Sequence, residues 1–144
     1  MVRIVAGLFL TMLLGTMAAA QTVPFPDPVV IKPPAAGLAP EVAAFSGVWE
    51  GRWGGVLASR LAVEEIDAEI AVVVYGWADH PGGAFRGGWS RIRARVVPPT
   101  RIEWGDGERS ARFIFQIRSD QNSIEGTRRF RDQFDTIVMT RKKP

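Results

Sequence analysis

From residue 45 onward the chain is cut by turn residues into short runs, and no link between runs leaves room for more than a reversal. The runs cover 45–53, 56–65, 69–77, 85–97, 100–104, 109–118, 123–130 and 134–141. Between them stand Gly54-Gly55, Ile66-Asp67-Ala68, Asp79-His80-Pro81-Gly82-Gly83, Pro98-Pro99, Asp106-Gly107, Ser119-Asp120-Gln121-Asn122 and Arg131-Asp132-Gln133. Asp-Gly tolerates the positive φ of a tight hairpin. A parallel pair needs a crossover of about a dozen residues. None is on offer, so the spacing predicts an all-β, up-and-down antiparallel meander of eight short strands.

Alternation assigns the faces. Ala71, Val73, Tyr75 and Trp77 share one phase, as do Ala111, Phe113, Phe115 and Ile117. Ile92, Ala94 and Val96 oppose Arg91, Arg93 and Arg95, and Ile102 and Trp104 oppose Arg101 and Glu103. Strands with one apolar and one polar face wrap around a core. Closing the sheet removes both exposed edges, so the expected architecture is a small barrel.

The residues ahead of the barrel read as two further segments. Arg3, an apolar stretch over 4–17 and Ala18-Ala19-Ala20 form the three parts of a cleavable export signal ending before Gln21. The stretch falls short of the ~20 apolar residues of a spanning helix, so no integral membrane segment is expected after cleavage. The expected location is periplasmic or secreted. Residues 21–44 hold six of the ten prolines, which excludes a helix or central strand and suits an extended, dispensable linker. One short helical turn fits at 40–44, with Pro40 in its first position. The barrel domain is expected over 45–141.

Composition removes several function classes. There is no cysteine, hence no disulfide, thiolate nucleophile or thiolate metal site. The formal charge of +3 becomes +2 once Arg3 leaves, too little for an exported protein to take nucleic acid as its partner. The lone histidine, His80, sits in a turn, and Glu64, Glu65 and Asp67 cluster at a hairpin end, where charge is solvated. No nucleophile elbow, phosphate loop or metal-binding signature occurs. The sequence therefore predicts no catalytic residue, no metal and no cofactor.

Gly47-Val48-Trp49-Glu50-Gly51-Arg52-Trp53 reads G-x-W-x-G-x-W on the first strand. With the meander that follows, it resembles the lipocalin and wider calycin-like barrels, where that tryptophan closes one barrel end. Tyr75-Gly76-Trp77, Gly88-Trp89-Ser90-Arg91 and the terminal Thr140-Arg141 make the chain similar to a group of small exported bacterial domains, found alone or appended to hydrolase-like proteins. That resemblance implies a fold and no particular activity. Lipocalins are longer and usually carry a helix after the barrel, and neither holds here.

Two readings of function stay open. In the first, Trp53, Tyr75, Trp77, Phe113 and Phe115 line a lumen that binds a small apolar or anionic amphipathic molecule. Arg128, in phase with Ile124, Gly126 and Phe130, then anchors a polar head or pairs with Glu50 near the mouth, although a one-residue slip exchanges it with Arg129. In the second, the rings fill the barrel, and Arg91, Arg93, Arg95, Arg101, Arg112, Arg118, Arg129 and Arg131 on the outer face recognise an envelope protein or an anionic surface. Against that, Glu103, Glu125 and Asp135 are expected to lace the outer arginines through cross-strand pairs. Expression in a bacterial host should yield a protein beginning at Gln21, read by intact mass; a membrane-retained species keeping residues 1–20 would refute the export signal.

Overall fold

A computed structural model describes residues 20–143, so the expected export signal lies outside the described residues except for Ala20. A single helical turn, α1 (Pro40–Ala43), precedes eight strands. These are β1 (Gly47–Trp53), β2 (Leu57–Ile66), β3 (Ile70–Trp77), β4 (Gly88–Val97), β5 (Arg101–Trp104), β6 (Arg112–Ile117), β7 (Ser123–Phe130) and β8 (Gln133–Arg141). Each pairs antiparallel with the next, and β8 returns to β1 to close the barrel. The up-and-down meander read from the turns is the observed topology.

Two runs are shorter than their alternation suggested. Phe85 and Arg86 stay in the β3–β4 loop, where Asp79 Oδ1 accepts from the Gly87 amide at 2.6 Å. Residues 109–111 stay in the β5–β6 loop, because Asp106 Oδ1 caps the amides of Glu108, Arg109 and Ser110. In both places a side-chain acceptor competes with the ladder for backbone donors.

Turns alternate between two ends. The β2–β3, β4–β5 and β6–β7 connections lie at one end with α1, and that end is closed. Trp49 is fully buried there, its indole N–H donating to Phe45 O at 2.8 Å. Arg141 stacks over the Trp49 ring, 4.2 Å from its centroid, and donates to the carbonyls of Ser46, Ala44 and Gln121. Gly47, at φ 120°, leaves room for that guanidinium: a Cβ there would stand 3.0 Å from Arg141 Nη1. Above this plug Phe45, Leu61, Val63, Val73, Phe115 and Met139 complete a dry core.

The proline-rich stretch read as a linker is instead a strap docked on the barrel's outside. Gln21 exchanges hydrogen bonds with Val56 O and the Ala58 amide, the Lys32 amide donates to Glu64 O at 2.8 Å, and the Ala35 amide donates to Ile66 O at 3.0 Å. The reason lies beneath it. β2 and β3 are buried on both faces, and the outward residues Ala62 and Val74 are fully covered. Strands of this kind read as continuous apolar runs rather than alternating ones, and Ile70-Ala71-Val72-Val73-Val74 is such a run. Gly76 fixes the fit: a Cβ there would meet Pro24 O at 2.7 Å and the Phe25 ring at 2.9 Å.

Removing residues 21–38 while keeping α1 should therefore lower the thermal midpoint by at least about 5 °C, the shift expected for ~1 kcal/mol in a domain of this size. Gly76→Ala should expose the strap to limited proteolysis ahead of the barrel. An unchanged midpoint would mean the strap adds no stability.

Candidate functional site

At the other end the β1–β2 turn, the β3–β4 and β5–β6 loops and the β7–β8 turn surround an open mouth. Inward side chains here are large rings separated by small residues. Trp104 stacks on Phe113 (centroids 4.9 Å apart, planes 18° apart), Tyr75 lies 5.0 Å from Phe113, and Trp77 stacks on Tyr75 at 5.8 Å. Ser90 and Ala111 face the same space, and their small volume keeps it open. The result is a cavity of about 480 Å³, open to solvent, with apolar walls completed by Leu57, Ile92 and Phe85.

Of the interior residues expected from the sequence, Tyr75, Trp77, Phe113 and Arg128 stand on the cavity wall. Trp53 and Phe115 do not: both lie beneath it as buried floor, edge-on to one another at 6.1 Å. They face inward as their phase requires, but Phe115 lies two residues deeper along β6 than Phe113, and Trp53, the last residue of β1, is covered by Phe113 and the Arg128 guanidinium, neither of which alternation reports. Trp53 holds the wall in place, its indole N–H donating to the Tyr75 hydroxyl at 2.9 Å. That hydroxyl also lies 3.4 Å from Ser59 Oγ. Burial pushes the Tyr75 phenol pKa up, against the opposing pull of Ser59, Trp53 and the Arg128 charge, so the group stays a neutral hydroxyl.

Arg128 faces inward, as its phase indicated, but its partner is neither Glu50 nor a vacant lumen. Its guanidinium donates to Asp135, directly opposite on β8, and lies 5.4 Å over the Trp53 ring. Glu50 is engaged elsewhere, accepting from Arg60 at 2.8 Å and Lys142 at 3.0 Å on the outer surface. Asp135, expected to lace the outer arginines, shares its phase with the buried Ile137 and Met139 and so points inward. Sequence reasoning also left out Phe85 and Arg86, which the loop carries to the rim. No periodicity could have placed them. Trp104 and Ser90 were legible from their strand phases.

Outside, the laced reading describes the barrel's waist. Glu103 is 5% exposed and ringed by Arg95, Arg101 and Arg112. Arg91 forks onto Glu64 at 2.8 and 3.1 Å, and Arg118 onto Glu125. The hydrogen bond from Arg95, aided by the positive charges of Arg112 and Arg95, holds the Glu103 carboxyl below its ordinary range despite its partial burial.

The cavity wall presents neither a carboxylate nor a histidine. His80 lies in the β3–β4 loop, its Nδ1 accepting from the Gly82 amide at 3.0 Å and its ring against Phe85. Among the described residues no group of His, Cys, Asp or Glu is placed to hold a metal ion, and no helix is long and apolar enough to cross a membrane. The mouth can therefore hold a molecule by contact and shape. No family model, curated protein or solved structure matches the chain. The closed eight-stranded antiparallel barrel is consistent with a calycin-like fold on its own geometry.

The Glu103 cluster makes a prediction about acid. A carboxyl whose folded pKa is depressed stabilises the protein above its unfolded value, about 4.3, and that contribution is lost as pH falls through the folded value. Stability should be level from neutral pH to about 5 and decline below it. Glu103→Gln should cost about 1 kcal/mol at pH 7, since its partners are half exposed, and should flatten the acid limb of a midpoint-against-pH curve.

Proposed function

We propose that this domain is a calycin-like barrel that works by binding a small apolar or amphipathic molecule in its open aromatic mouth. The observation that carries the reading is the cavity itself. At about 480 Å³ it falls within the ~300–1,000 Å³ of small-molecule sites, and its wall is made of rings and aliphatic side chains with few polar atoms. Such sites gain affinity from displacing water off apolar surface, and rigid aromatic walls lose little entropy on binding.

The tripartite pattern over residues 1–20 supports an exported setting, periplasmic or secreted. Binding without catalysis is the reading favoured by a wall whose hydroxyls, Tyr75 and Ser90, have no carboxylate or histidine on the same wall to activate them. The rival reading, recognition through the outer arginines, has less support. Five of those eight arginines, Arg91, Arg95, Arg101, Arg112 and Arg118, are already engaged by Glu64, Glu103 and Glu125. Bringing them to a partner means exchanging one carboxylate for another.

The test is titration of the full-length protein with N-phenylnaphthylamine, a neutral apolar dye. Saturable binding with quenching of tryptophan emission is expected, with a dissociation constant in the micromolar range, about −8 kcal/mol. Ser90→Trp, which fills the space with a ring, should abolish binding and leave the barrel folded by circular dichroism. If the wild type binds nothing, or Ser90→Trp binds as well as wild type, the cavity is not the site.

A further inference from the structure

The mouth cavity has a neighbour. A second pocket of about 420 Å³ lies between the β5–β6 loop and the β7–β8 hairpin, and Phe85, Ala111 and Arg128 line both spaces. The two adjoin through these shared residues. The first is walled by rings. The second is also largely apolar, with Phe130 on its wall, but adds the polar side chains of Arg109, Ser110, Gln133 and Asp135. Arg128 stands on the boundary, but its charge is already taken by Asp135 and its face by Trp53.

Arg109 is different. Its backbone is fixed by the Asp106 cap, so the side chain leaves from a defined point, and no carboxylate lies within ion-pair distance of its guanidinium among the described residues. With Asp135 neutralised by Arg128, the uncompensated charge lining the second pocket is positive. Glu108, next in the chain, lines neither space.

We infer that the ligand is an amphipathic anion whose apolar body lies among Tyr75, Trp77, Trp104 and Phe113 and whose head is held by Arg109, with Ser110 and Gln133 as neutral hydrogen-bonding partners. Arg128 is then a positioning residue: paired with Asp135, it separates the two pockets and keeps the body of the ligand from a bare charge. A guanidinium suits this head because it binds carboxylate or phosphate oxygens through paired, charge-assisted hydrogen bonds. This assignment rests on the binding reading proposed above and adds the ligand's charge and orientation to it.

The experiment compares dodecanoate with dodecanol, two probes sharing one chain and differing in head, against the full-length protein and its Arg109→Ala and Arg86→Ala variants. Dodecanoate should bind about three- to tenfold tighter than dodecanol, the range for a partly exposed charge-assisted contact. Arg109→Ala should remove that preference, leaving dodecanol unchanged, while Arg86→Ala should keep it. Both arginines are exposed with no side-chain hydrogen bond or ion pair, so the variants should fold, which thermal midpoints verify. Dodecanol bound as tightly as dodecanoate, or a preference that survives Arg109→Ala, overturns the inference and leaves the aromatic site standing. A preference lost in Arg86→Ala instead puts the head at the β3–β4 loop and also overturns it. If neither probe nor N-phenylnaphthylamine binds, the binding reading itself fails.

Discussion

The closure of the barrel depends on one half-buried guanidinium, that of Arg141. β1 and β8 pair over only three residues, Trp49–Gly51 against Met139–Arg141, as few as β4 and β5, so the closing seam is a short ladder. Arg141 compensates by tying two separate segments to the end of β8 through three carbonyls: Ala44 and Ser46 in the α1–β1 link, and Gln121 in the β6–β7 turn. Burial works against its charge and lowers its pKa. Three carbonyl acceptors and the π face of Trp49 replace the lost water. Because the plug is polar at its rim and aromatic at its centre, it seals the end without leaving an unpaired group. Access to the interior is then confined to the opposite mouth.

That asymmetry explains how so short a barrel both fills and opens. Eight strands give an interior just wide enough for side chains to meet. In the closed half they do meet: Phe115 rests against Gly126, where any Cβ would stand 2.5 Å from its ring. In the mouth half the rings flank small inward residues, Ser90 and Ala111, and the space between them stays open. Counting aromatics alone argues for a filled lumen. What decides the volume is where the small residues fall along the axis.

How much was legible follows from the same distinction. Turn chemistry and alternation are local, so strand order, pairing direction and the inward phase of Tyr75, Trp77, Phe113 and Arg128 could all be read. Which inward side chain covers another depends on strand tilt and stagger, so Trp53 and Phe115 read as wall although both are buried behind it. The strap was misread for another reason. Proline density says which elements a segment cannot join and nothing about where it docks. The signal was in the partner: Ala62, Val74 and Gly76 take outward phases with no polarity to offer water, a face that needs a cover. Asp135 was visible in the same way, since it shares the phase of Ile137 and Met139 and lies opposite Arg128.

Charge placement follows the division between waist and mouth for most arginines, with Arg93 on β4 and Arg129 on β7 the strand residues of the outer set that lack an ion pair among the described residues. Arg91, Arg95, Arg101, Arg112 and Arg118 lie where neighbouring strands bring a carboxylate within reach, and each has found one. Arg86, Arg109 and Arg131 lie in loops or turns at the open end, where no ladder supplies a facing residue. Three of the carboxylates there have other duties, Asp79 and Asp106 capping backbone amides and Asp135 holding Arg128, while Glu108 and Asp132 form no ion pair among the described residues. A carboxylate that caps a turn accepts from amides already fixed by the loop, and is poorly placed to fork onto a guanidinium as well. The turn chemistry that ends the strands therefore also leaves cations free around the mouth. The same local rule that shapes the barrel sets the charge a ligand meets on entering it.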